Sequence, residues 1–290
     1  MVTRGDGNPV DGRGAVPLAP PAEESHPARP MAADELRAAL TRAAYPRSAR
    51  WDPQWMLDNV MGPNVLWLAE AVVPALALRP GMRVLDLGCG KAISSIFLAS
   101  EFGVRVWAAD LWIAAEENLA RIRAAGREDD VVPVRVEAHA LPFPEGHFDA
   151  IVSLDAYHYF GTDDLYVGYV SRFLKPGGRL GIVSPGITQE IDEAPAALRP
   201  FWQWEFCSFH SADWWRRHWA KTGQLHVEVA DMLPDGWRDW LAWSEVCARA
   251  GVGMPEAAAR DESHPRAQPR PARRARPHCR ASTGNRSCPA

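Results

Sequence analysis

From Gly81 onward the sequence alternates short apolar runs with segments of helical periodicity, and this alternation limits the possible folds more than any other feature. Strands are predicted at 83–87, 104–109, 131–136, 149–154, 179–184 and 225–231. Helices are predicted at 92–101, 114–125, 162–174, 211–221 and 237–250. Such alternation is typical of a doubly wound α/β fold, with a mostly parallel sheet covered by helices on both faces. Ligands of these sheets bind at the carboxyl ends of the strands.

Both ends of the chain differ from this region in composition. Residues 1–30 contain six prolines and four glycines, and residues 255–290 contain eight arginines and no Val, Ile, Leu, Met, Phe, Trp or Tyr. Segments this poor in apolar side chains cannot offset the entropy lost on ordering. The predicted organisation is a disordered extension at 1–30, a helical lid at 31–80, a ligand-binding domain at 81–251 with an aromatic insertion at about 186–210, and a disordered Arg/Pro-rich tail at 252–290.

The charge is distributed as unevenly as the composition. Residues 255–290 carry eight arginines and three acids, a net charge of +5, so the total of −4 leaves −9 on residues 1–254. An acidic folded part argues against a nucleic-acid substrate and against stable membrane association. Scattered cysteines without a CxxC pair, and no secretory signal, predict a cytoplasmic protein. The histidines are isolated, so no metal site is expected.

A glycine motif follows the first predicted strand. The run VLDLGCGKA places Asp86 at the strand end, followed by Gly88, Cys89 and Gly90. The glycines allow a ligand to approach the backbone closely and the chain to turn into the next helix. Asp110 ends the second strand, 20 residues after Gly90. A carboxylate there is placed to accept two hydrogen bonds from a ribose diol, so the pair of features predicts a cofactor that contains adenosine.

Two cofactor classes compete for this motif. A nicotinamide dinucleotide requires GxGxxG, and this chain has Ile93 where the third glycine would lie. Asp86 is unfavourable beside a pyrophosphate and suits a cationic ligand, such as one with a sulfonium and an α-amino group. The residues therefore favour a cationic adenosine cofactor.

At this point the sequence resembles the class I S-adenosylmethionine-dependent methyltransferases. Four segments match in order and spacing: VLDLGCG at 84–90, Asp110, EAHALPFPEGHFD at 137–149 and FLKPGGRL at 173–180. Within that superfamily the chain is most similar to bacterial small-molecule enzymes of the methyltransferase type 11 and cyclopropane-synthase-like groups. The resemblance implies a Rossmann-like fold and S-adenosyl-L-methionine as the cofactor.

The resemblance also implies roles for individual residues. Asp86, with Gly88, Cys89 and Gly90, would form the loop that holds the methionine end of the cofactor, with Cys89 as a small apolar filler. Asp110 would bind the ribose diol, and Leu111 or Trp112 would cover one face of the adenine. The remaining positions would read the adenine edge or line the methyl-transfer channel: Glu137 and Ala138 at the edge, Leu154 and Asp155 in the channel.

The residues after the fourth strand are candidates for catalysis. His158 could act as a general base, since histidine titrates near neutral pH. Tyr157 is a second catalytic candidate, Tyr159 a substrate contact, and Asp155 a group beside the sulfonium or a cationic substrate. The alternative for His158 and the tyrosines is packing against the neighbouring helix.

Aromatic residues elsewhere suggest the walls of a substrate site. Eight of the 13 tryptophans lie between Trp202 and Trp243. The insertion could be a lid over the cofactor, with Trp202, Trp204 and His210 as substrate contacts, or a hydrophobic cluster that covers the sheet edge. The segment before the first strand is the predicted second wall, with Tyr45, Trp55 and Met61 as its contacts.

One strand of the implied fold is absent from the sequence. The family has seven strands, whereas six are evident here and residues 252–290 contain no strand-like segment. A sheet without an inner strand would leave backbone groups unpaired. We therefore hypothesise a frame shift near 252–258, against the alternative of a shortened but functional sheet.

The sequence predicts an enzyme that methylates an O, N or C nucleophile of a small molecule with S-adenosyl-L-methionine. One alternative is a cyclopropane-synthase-like reaction on a lipid alkene. The other is a chain that binds the cofactor without catalysis. The sequence makes no prediction of oligomeric state.

Overall fold

The computed structural model describes residues 31–252, so the predicted disorder at 1–30 and nearly all of the predicted tail lie outside the described residues. Five parallel strands form one sheet in the order β3-β2-β1-β4-β5. Their bounds are β1 (Arg83–Leu87), β2 (Arg105–Asp110), β3 (Val131–Arg135), β4 (Phe148–Leu154) and β5 (Leu174–Val183). The predicted doubly wound, Rossmann-like α/β fold is thereby confirmed.

Eight helices accompany the sheet within the described range. Three precede it, α1 (Ala33–Leu40), α2 (Pro53–Asp58) and α3 (Val65–Leu76). The others are α4 (Ile93–Phe102), α5 (Ala115–Ala124), α6 (Tyr166–Ser171), α7 (Ala212–Ala220) and α8 (Gly236–Arg249). None of these helices is both long enough and apolar enough to cross a membrane.

The strand sequences are nearly continuous runs of apolar residues because helices cover both faces of the sheet. Successive residues of β1 point to opposite faces, so Val84 lies in one hydrophobic cluster and Leu85 in the other. The first cluster includes residues of α1, α3, α4 and α8. The second includes residues of α6 and α7.

The predicted sixth strand is wrong. Residues 225–231 have no strand pairing in the structure, although the run alternates apolar and polar residues. The Arg216 guanidinium donates hydrogen bonds to the carbonyls of Val227 and Ala230, and Arg179 pairs with Glu228 at 2.8 Å. The Arg216 side chain therefore binds backbone carbonyls that would otherwise pair with a neighbouring strand. Among residues 31–252, β5 is the edge strand on this side of the sheet.

Two element boundaries also differ from the prediction. Helix α6 begins at Tyr166 rather than at 162, because the Asp163 carboxylate accepts a hydrogen bond from the Leu165 amide in a local turn. Strand β5 begins at Leu174 rather than at 179. The pairing with β4 shifts between Phe148 and Ala150, which accommodates the extra residues.

The predicted N-terminal lid is joined to the C-terminal helix α8. The Trp243 indole donates a hydrogen bond to the carbonyl of Gly62 at 2.8 Å and packs edge-on against Trp67. The Tyr45 hydroxyl donates to Asp239 at 2.8 Å. Residues more than 180 positions apart are thus packed in one cluster, which fixes the loop that carries Gly62.

Trp243→Phe tests this junction. Trp243 is 2% exposed, so the change removes a buried hydrogen bond and leaves a small cavity. We expect the free energy of unfolding to fall by about 2–3 kcal/mol. Urea denaturation measures it, with Trp237→Phe on the exposed face of the same helix as the control, expected to change by less than about 0.5 kcal/mol. Equal effects of the two substitutions would contradict the junction.

Candidate active site

The glycine loop connects β1 to α4 through left-handed backbone conformations. Gly88 has φ 76° and Gly90 φ 54°. A Cβ on Gly88 would lie 2.3 Å from the Cβ of Ala156, and one on Gly90 would lie 2.8 Å from the Met61 sulfur. The structure therefore gives a reason for the glycines beyond the predicted approach of a ligand, namely close packing of the loop against β4 and the lid.

Asp86 is completely buried at the end of β1. One carboxylate oxygen accepts hydrogen bonds from the hydroxyls of Ser94 (2.6 Å) and Ser95 (2.7 Å). The other oxygen, Oδ1, has no partner among the described residues. Burial raises the pKa of Asp86 to about 6, despite the two serine hydrogen bonds. An unpaired buried acceptor fits a ligand that brings a hydrogen-bond donor or positive charge to this loop.

Asp110 joins the loops that follow β1 and β2. Its carboxylate accepts hydrogen bonds from the amides of Gly90 (2.8 Å), Trp112 (2.8 Å) and Ile113 (2.9 Å). A carboxylate offers about four acceptor positions, so about one remains for a ribose hydroxyl instead of the two that the sequence suggested. The residue thus shapes the loops and keeps capacity for a ligand.

The predicted adenine region is partly open. Leu111 and Trp112 expose nearly half of their surface, which suits residues that cover a planar base. Glu137 is exposed. Its carboxylate accepts a hydrogen bond from the amide of His139 at 3.0 Å and lies 2.7 Å from Nδ1 of the His139 ring. The carbonyl of Ala138 accepts from the Tyr166 hydroxyl at 3.1 Å. Buried Cys89 packs in the first hydrophobic cluster, as expected of an apolar filler.

Asp155 lies immediately after β4 in a left-handed conformation, with φ 57°. Its amide donates to the carbonyl of Val183 at 2.8 Å, which anchors the turn beside buried Leu154. A Cβ on Gly62 would lie 2.5 Å from the Asp155 carboxylate, so the lid loop packs directly against it. Burial raises the pKa of Asp155 to about 7. No hydrogen bond or ion pair to this carboxylate is formed within residues 31–252, which leaves it available to a ligand or a proton.

The structure does not bring the two principal catalytic candidates to an open site. Tyr157 is fully buried in the second hydrophobic cluster, with its ring against Gly161. His158 is also buried and is hydrogen-bonded through Nδ1 to the Ser184 hydroxyl at 3.0 Å. Burial lowers the pKa of His158 to about 4, which makes it a weak base. Packing, the alternative weighed for both residues, agrees with these positions because the turn after β4 directs their side chains inward.

Tyr159 is the residue of this turn that reaches the surface. Its ring lies 5.4 Å from Trp112 and 6.5 Å from Trp204, so the three rings form an aromatic row. Trp202 instead packs against Phe206 at 5.6 Å. His210 stacks on Trp214 at 3.6 Å and lies 2.9 Å from the Glu190 carboxylate. Of the three candidates in the insertion, Trp204 is the one that joins the site.

The three lid candidates also have different positions. Met61 touches the glycine loop at Gly90. Tyr45 is buried, stacks on Trp67 and is bonded to Asp239, so it belongs to the junction with α8. Trp55 packs against Trp51 at 5.1 Å beside the first cluster. Met61 alone of these three lies at the predicted cofactor loop.

Sequence reasoning missed Glu205 in the aromatic insertion. It lies in a short 3-10 turn, Trp204–Ser208, and is 5% exposed. Its carboxylate forms no hydrogen bond or ion pair within residues 31–252. Burial, followed by the charges of Asp155 and Glu205, raises the pKa of Tyr159 to about 12. The 3-10 turn of Glu205 contacts the 3-10 turn Tyr157–Tyr159, where the Tyr159 ring lies 6.5 Å from the Trp204 ring. Glu205 is the one charged residue in the run 201–209, a signal that could have identified it.

The pH dependence of stability tests the environment of Asp155. Its pKa is about 7 when folded and near 3.8 ordinarily, so the folded state binds more protons between about pH 4 and 7. Stability is therefore lost as the pH rises through that window. We expect the unfolding free energy of Asp155→Asn, relative to wild type, to rise by about 4 kcal/mol from pH 4 to pH 8.

Urea denaturation across this pH range measures the difference, and Asp129→Asn at an exposed position controls for general charge effects. A difference between Asp155→Asn and wild type that stays constant with pH would show that the Asp155 carboxylate is well solvated.

The described residues contain no group of three or more His, Cys, Asp or Glu side chains arranged to hold a metal ion. The site is instead formed by three aspartates at neighbouring strand ends, with an aromatic row and a lid loop beside them. Asp86 and Asp110 flank the glycine loop, and Asp155 faces the lid. This arrangement fits a ligand that brings hydroxyl donors and positive charge.

Comparisons with known proteins agree with this geometry. Residues 84–178 match the family model described as a methyltransferase domain. The methyltransferase GfsG of Streptomyces halstedii is 29% identical over 136 residues, 45% of this chain and 48% of that protein. The demethylmenaquinone methyltransferase of Mycobacterium sp. (strain KMS) is 34% identical over 41% of this chain and 48% of its own length. This chain thus spans about half the length of these two relatives.

A solved structure shows the same fold. It is the phosphoethanolamine N-methyltransferase 2 of Haemonchus contortus in complex with S-adenosyl-L-methionine, with a TM-score of 0.56 and 22% identity. The match covers 74% of this chain and 50% of that chain. Residues 84–178 therefore resemble a methyltransferase domain in sequence, and the chain shares its fold with this methyltransferase.

Proposed function

We propose that this protein transfers the methyl group of S-adenosyl-L-methionine to an O, N or C nucleophile of a small molecule. One observation carries the proposal. Asp110 connects the glycine loop to the loop after β2 through backbone hydrogen bonds, while Oδ1 of Asp86 is buried without a partner in the described residues. The methyltransferase relatives, two of which are GfsG and the demethylmenaquinone enzyme, support the reaction class.

The bound cofactor would supply an electrophilic methyl group on a sulfonium. Asp110, with Leu111 and Trp112, would hold the adenosine end, and Asp86 with the glycine loop the methionine end. Glu137 and Ala138 would border the adenine. Because methyl transfer requires the nucleophile, methyl carbon and sulfur in line, positioning supplies much of the rate enhancement.

Two features of the chain would act on the acceptor. The lid residues Met61 and Gly62 lie against Gly90 and Asp155, which favours exclusion of water at the methyl-transfer end. Asp155, with a pKa of about 7, is the residue suited to take a proton from the nucleophile at neutral pH. Buried His158 is less suited, since its pKa is about 4.

We also propose a cytoplasmic location, supported by Cys89, Cys207 and Cys247, which are all free thiols. No observation on residues 31–252 favours the lipid-alkene reaction, and the small-molecule names of the relatives favour a small acceptor. Nucleic acid is disfavoured as a substrate by the acidic charge of residues 1–254.

Calorimetric titration with S-adenosylhomocysteine tests the cofactor site, and we expect micromolar affinity, about −8 kcal/mol. Incubation with methyl-labelled S-adenosylmethionine and a small-molecule extract, followed by mass spectrometry, then tests turnover. Binding with labelled product supports the proposal. Binding without product in any extract would favour a non-catalytic chain, and absence of binding would overturn the proposed cofactor.

A further inference from the structure

We infer that Asn118 is a positioning residue for the glycine loop, and that its bond to Gly90 holds this loop in the conformation that binds the cofactor. The inference rests on the proposed function and adds a residue to its cofactor site. Asn118 lies in α5, eight residues after Asp110. Neither the glycine motif nor the methyltransferase resemblance gives it a role, and its contact with the loop spans 28 positions of sequence.

Both backbone polar groups of Gly90 are bound by side chains from other elements. The Gly90 amide donates a hydrogen bond to the Asp110 carboxylate at 2.8 Å, and the Gly90 carbonyl accepts one from Nδ2 of Asn118 at 2.9 Å. One partner lies at the end of β2 and the other in α5. Because glycine adopts positive and negative φ about equally readily, its φ of 54° needs restraint from outside the loop. The two side chains supply this restraint.

The orientation of the Asn118 amide is set by Arg121. The Arg121 guanidinium donates to Oδ1 of Asn118 at 2.9 Å. Since a guanidinium can only donate hydrogen bonds, the amide oxygen faces Arg121 and the amide nitrogen faces Gly90. Arg121 lies in turn 3.6 Å from the Glu117 carboxylate on the same helix. The donor that reaches the glycine loop is therefore held in place by its own neighbours.

An asparagine is an unexpected residue on the inner face of α5. The buried residues of this helix are Asn118 and Ile122, four positions apart on one face. Ile122 packs in the first hydrophobic cluster, as an inward residue should. Asn118 is 1% exposed, and burial of an amide is unfavourable unless the amide is hydrogen-bonded. The inner face is thus polar at the position where the helix meets the glycine loop.

The Asn118 bond would act on cofactor affinity without contact with the cofactor. When the bond is removed, the Gly90 peptide can rotate, and its other bond, to Asp110, is weakened with it. A Cβ on Gly90 would lie 2.8 Å from the Met61 sulfur, so movement of Gly90 also disturbs the lid contact. A loop that is less ordered beforehand must be ordered when the cofactor binds, which lowers the affinity.

Calorimetric titration with S-adenosylhomocysteine tests the inference. Asn118→Asp has the same shape and keeps an oxygen for Arg121, but it replaces the donor to the Gly90 carbonyl with a carboxylate oxygen. We expect it to weaken binding about tenfold or more, and Asn118→Ala, which removes the donor without adding charge, about fivefold. Glu116→Gln, at an exposed position of α5, is the control and should stay within about twofold. Unchanged affinity in both Asn118 variants would overturn the inference.

Hydrogen exchange of the ligand-free proteins separates positioning from a general effect on stability. We expect the amides of residues 88–92 to exchange about fivefold faster in the Asn118 variants, while those of β1 and β4 stay within about twofold of wild type. Equally faster exchange in β1 and β4 would overturn the positioning role, because Asn118 would then stabilise the whole fold. Failure of the unmodified chain to bind S-adenosylhomocysteine would overturn the proposed function, whereas the exchange measurement would still test whether Asn118 holds the loop.

Discussion

Asp110→Ala is expected to reduce the affinity for S-adenosylhomocysteine by about 3 kcal/mol, roughly a hundredfold or more. The Asp110 carboxylate has a structural role in addition to its proposed bond to a ribose hydroxyl. It accepts hydrogen bonds from the amides of Gly90, Trp112 and Ile113, and these bonds hold the two loops of the proposed cofactor site together. Its removal therefore leaves three donors without their partner and releases both loops.

Calorimetric titration measures this loss, with thermal unfolding as a check that the variant is folded. Asp110→Asn provides the matched comparison, because it keeps one acceptor oxygen and the same shape while removing the charge. We expect it to lie between the wild type and the alanine variant. Unchanged affinity in Asp110→Ala would show that the cofactor does not bind at the ends of β1 and β2.

Gly88→Ala is expected to lower the free energy of unfolding by about 3 kcal/mol or more. The residue has φ 76°, a conformation that costs an alanine about 1–2 kcal/mol. Its new Cβ would also lie 2.3 Å from the Cβ of Ala156, at the point where the glycine loop meets the turn after β4. Neither group can rotate away, because both belong to short side chains on anchored backbone, so overpacking adds to the conformational cost.

Gly81→Ala separates these two causes. Gly81 has φ 80°, and a Cβ there would meet nothing within 4 Å, so the substitution should cost only about 1–2 kcal/mol. Combining Gly88→Ala with Ala156→Gly should recover the overpacking part, visible as a coupling of about 1.5 kcal/mol or more in urea denaturation. Purely additive effects would indicate that the loop relaxes away from the turn and that the close packing is unimportant.

The sequence predicted the central sheet well, for a physical reason. Strands such as 83–87 and 149–154 are buried on both faces, and this produces continuous apolar runs that short-range reasoning detects. The glycine loop and Asp110 could be predicted from the sequence as well, because left-handed backbone and an acid at the end of a strand depend on local sequence. Residues 225–231 show where such reasoning fails. Their alternation is that of a strand, but Arg216 and Arg179 engage the segment before a ladder can form.

The residues of the site outside the glycine loop were harder to predict from the sequence. Tyr157, His158 and Tyr159 are adjacent, and sequence offered no means to tell that the first two turn inward and the third outward. Glu205 has no local pattern that connects it with the turn after β4, since the contact between the two 3-10 turns depends on how the insertion folds back.

The amino-acid sequence alone thus determined the parallel α/β sheet, the glycine loop and the acid at the end of β2, because these depend on local backbone conformation and on burial of contiguous apolar residues. Only the tertiary structure decided which aromatic and acidic side chains share the site. The contact of Trp243 with Gly62 and the contact of Trp204 with Tyr159 join residues distant in sequence. Such pairs are set by long-range packing, which leaves no periodic signal in either segment.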